Sequence, residues 1–373
     1  MDYAYLRQQL GIFDSLQTIE SGFTPPSSWY NDQQFFKLEE KSVFMNHWLY
    51  VGRIDQLPER GSYFCGHFIS QPYVVVRDEQ NNINAFYNVC RHHAACVAKG
   101  EGKAQKFVCP YHSWTYDLQG KLSHAPRLDG IKNFSKKDYG LVPIPTVVFG
   151  PFIFVFFGEN PWDFLTEHSA LESQLKETAY ENLHFAKRIE YTINCNWKVF
   201  VDNYLDGGYH VPYLHKGLAS QLDLKNYSVE MYDRYSLQLC SARNDSKPQR
   251  GDFSERVSGG AIYAWLYPNF MINRYGPIMD INWTIPIGHN KTKVIFDYFF
   301  AKDIGEEFIK KSIIASDVVQ QEDMDICNAV QAGIESNAYD QGRYAPLFEK
   351  TALHFHQLLY KDFANILLQE NTL

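Results

Sequence analysis

The spacing of hydrophobic and polar residues changes along the chain and predicts two kinds of domain. Residues 1–45 combine short helical patterns with a proline-containing loop at Thr24–Ser28. From about residue 46, short runs of β-branched and aromatic residues alternate with turn residues, and the run 146–157 predicts the last strand of this series. We therefore expect an N-terminal helical segment over 1–45 and a small antiparallel β domain over 46–160.

The rest of the chain, 161–373, predicts a larger domain in which helices flank an antiparallel sheet, and we expect the segment 1–45 to pack on it. The expected fold class is therefore α+β. The predicted helices cover 164–183, 305–333 and 346–368, and the predicted β-rich stretches cover 185–200 and 227–300.

The overall charge excludes one large class of partner. The formal net charge is -8 and no basic stripe could neutralise phosphates, so nucleic acid is not an expected ligand. No apolar run reaches about 18 residues, and the first residues resemble neither a signal peptide nor a transit peptide. The sequence predicts a cytoplasmic protein without a membrane segment, and its odd number of cysteines favours metal ligands and buried thiols over disulfides.

Two short segments in the β domain carry the strongest chemical signal. Each contributes one cysteine and one histidine: Cys90 and His92 in the first, Cys109 and His112 in the second. Zinc fingers usually pair like with like, whereas one Cys and one His from each loop suit a [2Fe–2S] centre held by two thiolates and two imidazoles. His93 competes with His92, although the spacing Cys-x-His favours His92. A zinc-binding scaffold is the remote alternative.

A second pair of histidines, His210 and His215, lies in the larger domain. Residues five apart do not share one face of a regular helix, and Pro212 between them predicts a break or kink that lets the two rings converge. Two histidines leave room for a carboxylate, which would complete the facial triad of a non-haem Fe(II) oxygenase. The pair alone is weak evidence, because isolated core histidines are common.

The predicted helix 305–333 offers several acidic residues for the third position. Asp323 is in register with the apolar residues Val319, Ile326 and Val330, so we expect it on the buried face, where a carboxylate needs a partner or a metal. Asp325 shares a face with polar residues and is expected to be solvated. A buried Asp323 that is only hydrogen bonded is the alternative.

These two motifs together resemble the Rieske non-haem iron oxygenase family over nearly the whole chain. Within that family, the segments 202–217 (DNYLDGGYHVPYLHKG) and 339–346 (YDQGRYAP) resemble the choline monooxygenases. The resemblance implies a Rieske [2Fe–2S] cluster and a mononuclear Fe(II). It also implies hydroxylation of choline to betaine aldehyde hydrate by O2, with electrons from a separate ferredoxin or flavin reductase.

The resemblance further implies a head-to-tail homotrimer in which the cluster of one subunit serves the iron of the next. Most family members place an acidic residue three positions before the first iron histidine to bridge this electron transfer. Here that position is Gly207, and Asp206 precedes it, so Asp206 is the expected bridging residue. Asn203 and Tyr204 are expected to line the iron site.

A small cationic substrate would require aromatic rings in its pocket, because a quaternary ammonium group binds against ring faces. The aromatic stretch Tyr263–Phe270 lies where the family builds its pocket, and Trp265 is the residue chosen from it. Alternative substrates are carnitine, a betaine, another amine or an aromatic compound. A Rieske electron-transfer protein without catalysis is the alternative from a different functional class.

Overall fold

The computed structural model describes residues 1–220, 222–242, 256 and 259–369. The chain divides into two compact units, one formed by Met1–Met45 with Leu165–Leu373 and the other by Asn46–Phe164. Both contain antiparallel sheets, and helices are concentrated in the first, so the α+β prediction is confirmed. In the part of the chain that is described, no helix is long and apolar enough to cross a membrane.

The unit Asn46–Phe164 is built from small antiparallel sheets with the strand orders β1-β11-β10, β5-β2-β3-β4-β9 and β6-β7-β8. The run 146–157, predicted as one strand, forms the hairpin β10–β11, because Gly150 turns the chain with a φ of 55°. The strands are β1 Trp48–Arg53, β2 Ser62–Phe68, β3 Gln71–Arg77, β4 Ile83–Tyr87, β5 Glu101–Lys103, β6 Phe107–Val108, β7 Thr115–Tyr116, β8 Leu122–His124, β9 Pro143–Ile144, β10 Thr146–Phe149 and β11 Phe152–Phe156.

A compact apolar cluster fills this unit and contains both cysteines of the predicted cluster site. Cys90 and Cys109 are buried among side chains that include Val74, Phe86 and Trp114. The core therefore anchors the two loops through their cysteines, while other residues of the loops, such as His93, are exposed. All seven cysteines of the chain have free thiols, as expected.

The other unit is organised around a seven-stranded antiparallel sheet with the order β12-β18-β17-β16-β15-β14-β13. The long strands β17 and β18 are almost entirely buried, and β17 alternates apolar residues with polar ones. The strands are β12 Leu183–Ile193, β13 Leu222–Met231, β14 Tyr235–Ala242, β15 Ala261–Leu266, β16 Phe270–Tyr275, β17 Ile278–Gly288 and β18 Lys291–Ala301.

Helices flank this sheet, and the N-terminal segment packs on the last of them through the rings of Trp29 and Phe35 against Phe363, with centroid distances of 5.1 and 5.5 Å. The α-helices are α1 Tyr3–Leu10, α2 Ser28–Asn31, α3 Gln33–Glu39, α4 Phe164–Glu167, α5 Ser169–Glu177, α6 Trp197–Tyr204, α7 Val211–Leu214, α8 Lys216–Ala219, α9 Glu306–Ile334 and α10 Lys350–Gln369.

The predicted helices 305–333 and 346–368 correspond to α9 and α10, and the predicted helix 164–183 is divided into α4, α5 and a 3-10 turn at Tyr180–Asn182. The predicted β-rich stretch 185–200 is wrong at its end, where the chain enters α6. The Asn196 side chain accepts a hydrogen bond from the backbone N–H of Lys198 at 3.0 Å and so starts the helix. This start matters because α6 leads directly to the predicted iron ligands.

Candidate metal centres and substrate cavity

The two Cys/His loops of the small unit have the same backbone design. In each, the cysteine N–H donates to the carbonyl five residues later at 2.8 Å, and the cysteine carbonyl accepts from the N–H four residues later. The fourth residue after each cysteine, Ala94 or Ser113, has a positive φ of 61° or 57°. Because the two turns have the same backbone geometry, the cysteine and histidine side chains of both loops converge on one site.

The donor atoms of these loops are gathered there. The Cys109 thiol contacts the Cys90 thiol, and burial raises the pKa of Cys109. The rings of His92 and His112 have centroids 4.7 Å apart. The Tyr116 hydroxyl lies 3.3 Å from Cys90 Sγ and accepts the Arg91 N–H, which ties the first loop to the core.

His92 also has a buried ring nitrogen that is available to bind a metal. Its Nδ1 atom is buried and has no hydrogen-bond partner among the described residues, while its ring stacks on Trp114 at 4.8 Å. A buried polar nitrogen without a partner is unfavourable unless a metal completes it. His93 is also within reach, since His92, His93 and His112 offer ring nitrogens within 4.8 Å of one another, but His93 is exposed. Two thiols and two imidazoles fit a [2Fe–2S] group.

The second site is formed by the segment that follows α6. Gly207 and Gly208 both have positive φ values, 67° and 77°, and they separate α6 from the short helix α7. The prediction that Pro212 breaks a helix is wrong, because Pro212 lies in the first turn of α7, where a missing N–H is tolerated. The two glycines provide the break instead, and α7 separates His210 from His215.

His210 and His215 converge with Asp323 of α9. One ligand atom from each of the three lies within 4.8 Å of the others. Asp323 Oδ1 is 3.0 Å from His215 Nε2 and 3.9 Å from His210 Nε2. Two imidazoles and one carboxylate on one side of a small volume are the donor set of a mononuclear non-haem iron.

Each of these three side chains is oriented by a polar neighbour. His210 Nδ1 contacts Asp206 Oδ2 at 2.6 Å, and the Asn203 amide donates to Asp323 Oδ1 at 2.8 Å. His215 Nδ1 contacts Glu322 Oε2 at 2.7 Å, a partner that the sequence did not identify, although Glu322 adjoins Asp323. Burial lowers the pKa of His215, but Asp323 and Glu322 outweigh it, so the net pKa is raised and the site attracts positive charge.

Asp323 reaches the site for a reason different from the predicted one. The apolar residues Ile326 and Val330 of α9 are exposed, at 38% and 43%. The buried face of α9 carries polar and small side chains instead, among them Ser316, Gln320 and Cys327. Asp323 lies in register with this polar face. Asp325 is exposed and accepts a hydrogen bond from Gln321, as expected.

A cavity of about 140 Å³ opens beside the three side chains. Its wall combines the polar groups of the iron site with six aromatic rings, from Phe200, Phe296 and four tyrosines. The lining includes Asn203, Tyr204, Asp206, His210, His215, Tyr227, Gln238, Arg256, Tyr263, Asn273, Tyr275, Asp280, Asn282, Phe296, Gln320 and Asp323.

The choice of Trp265 for the substrate pocket is not supported by this cavity. Trp265 is fully buried, donates its indole N–H to the Pro268 carbonyl at 3.2 Å and packs against Phe355. Tyr263, two residues earlier on β15, lines the cavity. The sequence therefore pointed to the correct strand, but the aromatic residue of β15 that lines the cavity is Tyr263 and not Trp265.

Two charged residues of the cavity wall were missed from the sequence. Asp280 on β17 is buried and accepts hydrogen bonds from the Tyr275 hydroxyl at 2.5 Å and the Asn273 amide at 2.7 Å. The signal was present as polar residues at every second position of an apolar strand, Asp280, Asn282 and Thr284. Arg256 lies outside any regular strand, and no periodic pattern marks it.

Family models of known proteins match both units. The Rieske [2Fe-2S] domain matches residues 47–135, and the catalytic domain of the ring-hydroxylating alpha subunit matches residues 180–362. A choline monooxygenase of Arabidopsis thaliana is 47% identical, over 94% of this chain and 85% of its own length. The chain belongs to the Rieske oxygenase family.

Other Rieske oxygenases extend the comparison. The oxygenase subunit of carnitine monooxygenase from Escherichia coli is 30% identical, over 92% of this chain and 95% of its own length. The crystal structure of a quaternary ammonium Rieske monooxygenase in complex with L-carnitine matches with a TM-score of 0.79 at 25% identity, covering 92% of this chain and 96% of that one.

As a Rieske oxygenase, the chain carries a [2Fe–2S] cluster and a mononuclear iron site, and both predictions of cofactors are confirmed. It is an enzyme of the oxygenase class, so the electron-carrier and zinc-scaffold alternatives are set aside. Enzymes of this family take electrons from a separate donor and act on small molecules.

Proposed function

We propose that this Rieske oxygenase hydroxylates a small quaternary ammonium compound. The observation that carries the proposal is the cavity at the iron site, in which four tyrosines and the buried carboxyl of Asp280 surround a volume of about 140 Å³. A quaternary ammonium cation binds against the faces of aromatic rings and gains from a nearby carboxylate. A cavity of this size is comparable to one that holds benzene, so a compact substrate is favoured over a polycyclic one.

The donor sets assign the cofactors to residues. His210, His215 and Asp323 would hold the mononuclear iron, which when bound supplies the binding and activation of O2. Cys90 and Cys109 with His92 and His112 would hold the [2Fe–2S] cluster, whose mixed ligation gives a reduction potential of about −150 to +300 mV.

Three residues of the chain would position the iron ligands. Asp206 holds the ring of His210, Glu322 holds the ring of His215 and Asn203 holds the carboxylate of Asp323. Such contacts fix the tautomer of a histidine and leave its other nitrogen free for the metal. Asp206 is also the residue proposed to bridge electron transfer from the cluster of a neighbouring subunit.

The proposal also covers the oligomeric state of the protein and the source of its electrons. We expect a homotrimer, with a ferredoxin or a flavin reductase as the separate electron donor. The cytoplasmic location expected from the sequence also stays a prediction.

The overall reaction requires two electrons and two protons besides O2. A substrate R–H gives R–OH, and the second oxygen atom leaves as water: R–H + O2 + 2 e⁻ + 2 H⁺ → R–OH + H2O. With choline, hydroxylation of the carbon that bears the alcohol gives the hydrate of betaine aldehyde. The wall of the cavity would hold the cation so that one of its C–H bonds faces the three iron ligands.

Choline is the first substrate to test, because choline monooxygenases are among the most similar relatives. A carboxylate-bearing compound such as carnitine or a betaine is the second candidate, and a specific observation favours it, namely Arg256 in the cavity wall. Aromatic hydrocarbons are less suited to a cavity that contains buried charged groups.

The test measures oxygen uptake by the enzyme loaded with iron and cluster and supplied with reductant. Choline, carnitine, glycine betaine and a simple aromatic compound are compared, and each hydroxylated product is identified. We expect uptake to rise with at least one quaternary ammonium compound and to stay at the background rate with the aromatic one. Uptake stimulated only by the aromatic compound would overturn the proposal.

A further inference from the structure

Arg256 is the cation of the cavity wall. Its side chain lines the cavity, only 6% of the residue is exposed, and its buried Nε atom has no hydrogen-bond partner among the residues that the structure describes. A guanidinium cannot lose its charge in a protein, and a buried charge is unfavourable unless an anion or hydrogen-bond acceptors compensate it. Arg256 therefore needs an acceptor that can reach the cavity.

Among the described residues, the nearby groups do not fill this role. The guanidinium lies 5.3 Å from the ring centre of Tyr275, a face contact that leaves its N–H groups available for acceptors. The positive charge of Arg256 lowers the pKa of Asp280, yet the two side chains form no ion pair within 4.0 Å. The Asp280 oxygens instead accept hydrogen bonds from Tyr275 and Asn273.

The cavity wall thus contains a guanidinium and a carboxyl group that are not paired with each other, and Tyr275 contacts both of them. Burial raises the pKa of Asp280, while Tyr275, Asn273 and Arg256 act in the opposite direction, and a cation bound beside it would further favour its charged form. An alcohol such as choline would compensate Asp280 and leave Arg256 without an anion. A zwitterion would compensate both.

We infer that the substrate is a quaternary ammonium carboxylate, whose ammonium group binds near Asp280 and the tyrosines and whose carboxylate binds Arg256. This inference rests on the proposed function and narrows it. The planar guanidinium can hold a carboxylate through two parallel hydrogen bonds, which fixes the orientation of a small substrate as well as its charge.

The chemistry follows the same electron balance. Hydroxylation of an N-methyl group gives N–CH2OH, with O2, two electrons and two protons consumed and one water formed. The C–N bond then breaks, the nitrogen keeps the electron pair, and formaldehyde and a proton leave a tertiary amine that retains the carboxylate.

The decisive comparison uses two ligands that differ in one group. Choline and glycine betaine share the trimethylammonium head, but one carries CH2OH where the other carries a carboxylate. We expect glycine betaine or carnitine to bind the anaerobic holoenzyme at least 10-fold more tightly than choline by calorimetry, and to stimulate oxygen uptake and release of formaldehyde or another aldehyde. If choline binds as tightly or better, the inference is wrong while the proposed function stands. If no quaternary ammonium compound binds or stimulates uptake, both fail.

Substitution of Arg256 tests whether this residue binds the substrate carboxylate. Arg256→Gln should raise the KM for the carboxylate substrate roughly 10- to 100-fold, as expected for the loss of a charge-assisted hydrogen bond, and should change choline binding less than 3-fold. Arg256→Lys should recover part of the loss. Lys187→Gln, which removes an exposed charge from β12, is the matched control. Thermal stability and the visible spectrum of the cluster verify the fold, and an equal loss for choline and glycine betaine would contradict the assignment.

Discussion

Asp206 Oδ2 lies 2.6 Å from Nδ1 of His210, although Asp206 is one position earlier than the acidic residue that the family resemblance implies. The same carboxylate accepts the backbone N–H groups of Gly208, Tyr209 and His210. The turn therefore folds back over Asp206 and brings its side chain to the histidine ring. It is thus Asp206, and not residue 207, whose side chain meets the ring of His210.

Gly207 explains why the acid could not lie at the usual position in this turn. Its φ is 67°, and a Cβ atom added there would overlap the carbonyl oxygen of Phe348. Any side chain at 207 would require the segment before α10 to move. Position 207 therefore requires glycine in this turn, and the neighbouring Asp206 supplies the carboxylate.

Replacement of Asp206 by Asn should slow turnover roughly 10- to 100-fold, because the ring of His210 would lose its charged partner. The visible spectrum of the cluster should be unchanged, and turnover is compared per mononuclear iron bound. The measurement is the rate at which the reduced cluster is reoxidised in the presence of substrate and O2. Asp206→Glu is the control that keeps the charge, and a wild-type rate in Asp206→Asn would refute the role proposed for Asp206.

Gly207→Ala should destabilise the protein by roughly 1–3 kcal/mol, because the backbone conformation is strained for any residue with a Cβ and the added atom has no space. Chemical denaturation measures the change in free energy of unfolding. Gly217→Ala provides the control, since a Cβ atom there meets nothing within 4 Å and the φ is not positive. Equal stability of the two variants would show that the turn does not require glycine.

His210→Ala should remove the mononuclear iron and leave the cluster in place, because the two donor sets share no residue. The iron content should fall from about three to about two per chain. Turnover should be lost, while the visible absorption of the cluster remains. Persistent turnover in this variant would mean that His210 is not a ligand.

Glu322→Gln should weaken binding of the mononuclear iron roughly 10- to 100-fold, because His215 Nδ1 would no longer face a carboxylate. Iron retained after dialysis against a graded series of chelator concentrations gives the affinity. Asp325→Asn removes an exposed carboxylate from the same helix and is the matched control. Similar iron loss from both variants would point to a general charge effect instead.

Lys198 and Glu39 form a fully buried ion pair beside the start of α6, and Trp197 also donates to Glu39 at 2.7 Å. Lys198→Met should destabilise the protein by about 3–5 kcal/mol, because Glu39 would remain buried without its cation. The pair Lys198→Met with Glu39→Gln should recover part of this loss, which a double-mutant cycle measures.

The pH dependence of Lys198→Met should have a definite sign. Burial raises the pKa of Glu39 above its usual 4.5, and loss of Lys198 removes the main influence that lowers it. The folded variant then holds the Glu39 proton more tightly than the unfolded chain, so the contribution of Glu39 to stability is fully present below about pH 4.5 and is lost as pH rises through the folded pKa. Thermal unfolding from pH 5 to 8 should show this fall, and the double variant should show less of it.

Prediction from sequence had most to work with where a feature is local. The Cys90–His92 and Cys109–His112 loops, the His210–His215 segment and the helix α9 each lie in a short stretch whose spacing carries the information. The same local reasoning failed for Pro212, because a proline in the first turn of a helix and a proline that breaks one look alike in sequence.

Asp323 shows how a residue can be chosen on incomplete grounds. Burial of the apolar stripe was the argument, yet Ile326 and Val330 are exposed, whereas Ser316, Gln320 and Cys327 are buried. Hydrophobic periodicity assumes that the buried face is the apolar one. A helix that borders a polar cavity does not obey that assumption.

The sequence by itself determined the α+β class and the family, and it was enough to propose the two donor sets, because these depend on residue types at short spacing and on long periodic segments. Only the tertiary structure decided that Glu322 supports His215, that Tyr263 replaces Trp265 in the cavity, and that Asp280 and Arg256 lie in one wall. Those groups come from strands and segments far apart in the chain. The register of the seven-stranded sheet aligns Tyr263 with Asn273 and Asn273 with Asp280, and tertiary packing brings Glu322 of α9 to His215; no local pattern encodes either relationship.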